Sequence, residues 1–134
     1  MGQFLLDIQK FMRKADANQT LVLRKIITEM YTRIVMRSPV DTGRFRANWF
    51  PSIGAMNPTV NWGAVDPTGI NAMQRIAVVV GQFNVGDNIH LTNNLPYARR
   101  LEYGYSAQAP MGMVRITTAE FQSVIDQVVA ELPK

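Results

Sequence analysis

Apolar residues at Ile8, Met12, Ala15, Val22, Ile26, Met30 and Ile34 follow a 3.6-residue period that stops at Ser38-Pro39. A helix with one buried face fits this spacing, so about residues 3–37 are expected to be helical. Asp16-Ala17-Asn18-Gln19-Thr20 interrupts the stripe, and Asp16 with Gln19 has the form of a reciprocal N-cap. One long helix and two consecutive ones both fit, with any break placed there. Proline disfavours helical geometry at the residue before it, which sets the end at Ser38.

A chain of 134 residues, 47% hydrophobic and 18% charged, is one domain able to bury a real core. The absence of cysteine excludes a disulfide scaffold and a thiolate metal site, and fits a reducing compartment. No apolar run approaches the ~20 residues of a membrane span, and no secretory leader is visible. Ten of the 14 basic residues are arginines against 10 acids, giving a net charge of +4. Planar guanidiniums favour fixed contacts with carboxylates or phosphates, although +4 is below the clustered basic stripe of a dedicated nucleic-acid binder.

Further along, about residues 44–53 have strand character through Phe45, Trp49, Phe50 and Ile53. A Gly-, Asn- and Pro-rich loop of about 54–69 follows, long enough to be functional or partly mobile, with Trp62 expected as a packing anchor. A helix is expected at about 70–82, although Val78-Val79-Val80 suits a strand equally well. A half-buried strand at 87–93 and a short helix at 97–103, ended by Gly104, come next. The last element is a helix over about 114–132, carrying Phe121, Val124, Ile125, Val128, Val129 and Leu132 on one face and a capping box at Thr117–Glu120 near its start. The sum is an α+β fold in which a small antiparallel sheet is packed by the N-terminal, middle and C-terminal helices.

No residue set reads as an active site. The single histidine, His90, lies in a strand beside Ile89 and Leu91, and the carboxylates are dispersed without metal-ligand spacing. Gly81–Gly86 has the glycine spacing of a phosphate loop but continues with Asp87-Asn88 where lysine and a hydroxyl residue are required. The serines lack a nucleophile elbow. The sequence therefore predicts no enzyme, metal or cofactor.

Two turn-rich segments remain. Pro39-Val40-Asp41-Thr42-Gly43 combines a fixed φ, a side chain able to bond backbone amides ahead and a glycine able to take positive φ. Arg44 and Arg46 alternate with Phe45, which on a strand places both guanidiniums on one face. In Asn93-Asn94-Leu95-Pro96-Tyr97-Ala98, Pro96 suits the first helical turn, and Tyr97 and Leu101 share a core-facing side. Pro39, Asp41, Thr42, Gly43, Pro96 and Gly104 are read as shaping the fold. Arg44, Arg46, Arg99, Arg100, Glu102, Tyr103, Gln108, Met111 and Met113 are read as candidates for contact with partners.

Taken in order, Ser38-Pro39-Val40-Asp41-Thr42-Gly43-Arg44 with Asn48-Trp49, then Asn93–Ala98, Leu101-Glu102-Tyr103-Gly104 and Gln108–Arg115, resemble the tail-completion or neck proteins of tailed bacteriophages. This head-to-tail joining family is also described as minor tail protein Z-like. The resemblance implies a homo-oligomeric ring in the virion, at the head-tail junction. Its implied neighbours are the head connector, adaptor or stopper below the portal and the tail terminator or tail tube. Genomic DNA would pass through the lumen only transiently, the chain would be made in the bacterial host cytoplasm, and no membrane would be involved. An arginine-based nucleic-acid-binding module using Arg44, Arg46, Arg99 and Arg100 is the alternative from another class.

Overall fold

The computed structural model describes residues 19–131, which form an α+β fold. Helix α1 (Gln19–Arg37) is its spine. The Val22, Ile26, Ile34 and Val35 side chains of α1 are buried, as the apolar period requires. The helix stops where Ser38 turns back: its N–H bonds Val35 O at 3.1 Å and its hydroxyl donates to Ile34 O at 2.9 Å. Ile8, Met12, Ala15 and the Asp16 cap lie outside the described residues.

After the turn come α2 (Arg44–Ala47), β1 (Phe50–Ile53), α3 (Ile70–Val80), β2 (Ile89–Thr92), α4 (Ala98–Glu102), α5 (Val114–Ala119) and α6 (Phe121–Ala130). The two strands pair antiparallel with Phe50 opposite Thr92 and Ile53 opposite Ile89. Helix α3 packs on both β1 and α1, while α6 packs on α1.

Two apolar clusters sit at the two ends of α1. The larger joins Ile34 and Val35 to Phe45, Trp49, Ala72, Ile76, Val80, Leu95, Ala109 and Met113. The smaller joins Val22 and Ile26 to Val124, Ile125 and Val128, with Phe121 and Val129 partly buried against it. Each large aliphatic side chain so buried contributes roughly 1.5–3 kcal/mol. Leu132, expected on the same face of α6, lies outside the described residues.

Residues 44–47 are a helical turn rather than the start of a strand. Phe45 and Trp49 are four apart, a spacing that puts them on one side in a strand or a helix, so the pattern does not discriminate. Backbone closure decides it: Ala47 N–H bonds Gly43 O at 3.0 Å, and Asn48 Nδ2 donates to Arg44 O at 2.7 Å. Only Phe50–Ile53 remains extended.

The C-terminal segment also departs from expectation. It starts at Val114 but breaks at Glu120 before resuming as α6, and no side chain caps either helix from its N-cap position. Thr117 Oγ1 instead donates to Met113 O at 2.6 Å, and Glu120 turns to α1. There it accepts from Arg37 Nη2 at 2.7 Å and Arg33 Nη1 at 2.9 Å. Two guanidiniums outcompete the backbone amides that a capping box would have used. The Arg37 hydrogen bond, working against some desolvation and reinforced by Arg33, holds the Glu120 carboxyl down at about 2.

The loop between β1 and α3 is tied down at three points. The carbonyl of Asn57 accepts from Thr92 Oγ1 at 2.9 Å and Asn94 Nδ2 at 2.8 Å. Asn48, fully buried, exchanges two bonds with the Asn61 backbone, at 2.7 and 3.0 Å. Asp66, also buried, bonds Ala72 N–H at 2.9 Å and so caps α3 from outside the helix. Trp62 departs from its expected role as a packing anchor, because it is half exposed with the Arg44 guanidinium 5.7 Å above its ring.

Candidate partner interface

The two turn-rich segments meet. Pro39 to Phe45 form one wall of a groove of about 480 Å³, and Tyr97, Leu101, Tyr105, Ser106 and Gln108 form the other. Gln108 fastens them together: its Oε1 accepts from Val40 N–H at 2.9 Å and its Nε2 donates to Val40 O at 3.1 Å. The side-chain amide thus imitates a paired strand residue. Phe45 and Tyr97 line the groove with ring centroids 6.1 Å apart, while Asp41, Thr42 and Tyr105 face solvent.

Gly43 makes the first wall possible. Its φ is +96°, and a Cβ there would lie 2.6 Å from Pro67 N and 2.9 Å from Asp66 N. Its carbonyl accepts from both Ala47 N–H and Asp66 N–H, at 3.0 and 3.1 Å, which ties the turn to the loop that caps α3. On the second wall, Pro96 lies in the turn just before α4 rather than in its first turn, because Ala98 N–H closes on Leu95 O at 3.0 Å. Gly104 ends α4 with φ +89°, its N–H bonding Leu101 O and the next N–H bonding Arg100 O, both at 3.2 Å. This is the paired closure of a Schellman stop.

The arginines divide. Arg46 is used internally: Nη1 donates to Pro67 O at 2.7 Å and Nη2 to Ser38 O and Met36 O at 2.9 and 3.1 Å. It satisfies carbonyls at the C-terminal end of α1 that no helical N–H can reach. Burial lowers its pKa, and attraction to Asp66 opposes that shift. Arg44 no longer shares a strand face with Arg46, since α2 is helical and Arg44 lies over Trp62. Arg99 and Arg100 are exposed, with guanidiniums 5.9 Å from the Tyr103 ring and 5.2 Å from the Tyr105 ring.

Glu102 is also turned inward. Its carboxylate accepts from the N–H groups of Met113, Val114 and Arg115 at 2.8–2.9 Å, so α4 supplies the cap for α5. Burial pushes this carboxyl up, but those amides and the Arg115 guanidinium outweigh it and hold it below the usual range. Met113 is a core residue at 1% exposure, whereas Met111 is 65% exposed. Of the nine residues expected to contact partners, Arg44, Arg99, Arg100, Tyr103 and Met111 have side chains available for that purpose. Arg46, Glu102 and Met113 hold the fold, and Gln108 builds the groove.

No family model, curated protein or solved structure matches this chain.

Two members of the exposed face escaped sequence reasoning. Neither Tyr105 nor Arg115 is among the nine expected partner contacts, yet both side chains are exposed. Arg115 places its guanidinium 4.7 Å from the Tyr103 ring while donating to Glu102 O at 2.6 Å. His90 pairs opposite Ser52, and its Nε2 is 3.0 Å from Gly54 O. No helix among the described residues is long and apolar enough to cross a membrane. The arrangement presents cations, aromatic rings and an apolar slot, which suits recognition.

Proposed function

We propose that this chain is a structural subunit of a tailed-bacteriophage virion that forms a homo-oligomeric ring at the head-tail junction. It would join the head connector to the tail and leave a lumen for the genome. The observation that carries this reading is that the two segments bearing the family resemblance, remote in sequence, wall one groove and are clipped together by Gln108. Turn formation alone accounts for Pro39, Gly43 and Gly104. It does not account for aromatic and cationic side chains gathered at the mouth of an open slot.

A closed ring needs a patch that meets a different patch on the next copy. The groove offers a concave apolar seat lined by Phe45, Tyr97 and Leu101. Exposed Met56, Val65, Ile70, Val78 and Val85 supply apolar surface elsewhere on the molecule. The reading is tested by native mass spectrometry of the purified chain, with electron microscopy of its assemblies and of virions. Rings in solution and the chain at the virion neck are expected; a persistent monomer absent from virions refutes it.

A further inference from the structure

We propose that the face formed by Arg99, Arg100, Tyr103, Tyr105 and Arg115 binds single-stranded nucleic acid. The proposal does not depend on the ring reading. Among the described residues no carboxylate pairs with Arg99 or Arg100, and each guanidinium lies in cation–π range of an exposed tyrosine. Glu102, the carboxylate nearest in sequence, is already engaged by three backbone amides and Arg115, so it leaves the two arginines uncompensated.

The rings themselves identify the partner's chemistry. Tyr103 is 63% exposed and Tyr105 73%, more than any other large apolar or aromatic side chain named on the surface except Met56, Met111 and Val78 in Tyr103's case. Leaving two such rings in water beside the unpaired Arg99 and Arg100 guanidiniums suits a ligand that carries anions and flat apolar faces together. An acidic peptide supplies only the anions. Nucleic acid supplies both, with phosphates for the bidentate guanidiniums and bases for the tyrosine rings or guanidinium planes. A base inside a duplex is already stacked, so the ligand is a single strand.

The test is fluorescence anisotropy of the full chain with a labelled thymidine oligonucleotide of about 12 nucleotides, a length within the usual site size. A duplex of equal length and polyglutamate serve as competitors. The single strand is expected to bind in preference to both, with affinity falling as salt rises. Tyr105→Ala is expected to weaken binding roughly 5- to 150-fold, the range for loss of one stacked base, while Tyr105→Phe retains it. Replacing Arg99 and Arg100 by Gln should reduce the salt slope by about 1.4. These side chains are exposed, and circular dichroism verifies that each variant is folded. No binding, equal binding of duplex, polyglutamate competing as well as the oligonucleotide, or an unaffected Tyr105→Ala variant overturns the proposal. The oligomeric state of the same samples is read independently, so failure here leaves the ring reading standing.

Discussion

Replacing Gly43 by Ala tests whether the groove wall is held as described. Two effects add. Any L-residue at φ +96° takes a left-handed strain of roughly 1–2 kcal/mol. The new methyl would also sit 2.6 Å from Pro67 N and 2.9 Å from Asp66 N, and both neighbours are backbone atoms. Relief requires the 66–67 segment to move, which strains the Asp66 bond to Ala72 N–H at the start of α3; such overpacking costs about 1–3 kcal/mol. Gly86 is the control, because its φ is +99° and a methyl there would meet nothing within 4 Å. Gly86→Ala therefore isolates the dihedral term.

For a domain of this size, each kcal/mol shifts the melting temperature by roughly 3–5 °C. Gly86→Ala should fall by about 3–10 °C and Gly43→Ala by about 6–25 °C. The decisive quantity is the difference between the two variants, measured by thermal unfolding with circular dichroism. Hydrogen exchange should show earlier opening at the Ala72 amide in Gly43→Ala alone. Equal melting temperatures for the two variants would refute the claim that the turn packs against the loop.

Asn48→Ala removes the clip on Asn61 and leaves buried backbone groups unpaired, so a loss of about 2–4 kcal/mol and faster amide exchange around Asn61 are expected in chemical denaturation. Glu102→Ala uncaps α5 and should cost about 1–3 kcal/mol, with the loss confined in hydrogen exchange to Met113, Val114 and Arg115. The Glu120 carboxyl is depressed to about 2 from its ordinary 4.5, so its stabilising contribution is complete above about 4.5 and lost as pH falls through about 2. The melting temperature of the native chain should thus decline across that window more steeply than that of Glu120→Gln. Parallel curves would contradict the Arg33–Arg37–Glu120 link.

The elements that could be read from sequence are those whose apolar period is long. The buried stripe of α1 from Val22 to Ile34, the face of α6 from Val124 to Val128, and α3 despite its three valines all carry enough turns to distinguish a 3.6-residue period from alternation. Helix α2 does not: a single turn with Phe45 and Trp49 four apart satisfies both periods, and the Asn48 bond that decides it involves no apolar pattern. Local punctuation was legible at Ser38-Pro39 and Gly104 because the stop depends on residues within one turn. The loop anchors were hidden because Asn48 and Asn94 bond backbone groups remote in sequence, and Asp66 caps α3 from a position outside the helix.

The candidate interface was legible as a region rather than as a residue set. Arg46 and Arg44 carry the same side chain two residues apart, yet one reaches the carbonyls at the end of α1 and the other lies over Trp62. The helical turn of α2 separates them, since residues two apart on a helix point to different sides. Met113 and Met111 are equally ambiguous, since methionine suits a core gap and an adaptable surface alike. Glu102 is expected among the partner contacts, but its carboxylate is taken by the amides that open α5, a pairing no local pattern reveals.

The proposed role rests on self-association through distinct faces, and the mass of the native assembly addresses it most directly. Native mass spectrometry of the full chain at near-physiological salt should give one closed oligomer with many copies, and that species should be lost when Thr42 and Arg44 in the groove wall are both replaced by Glu. A chain that remains monomeric at every concentration tried, or an oligomer indifferent to those substitutions, would contradict the account.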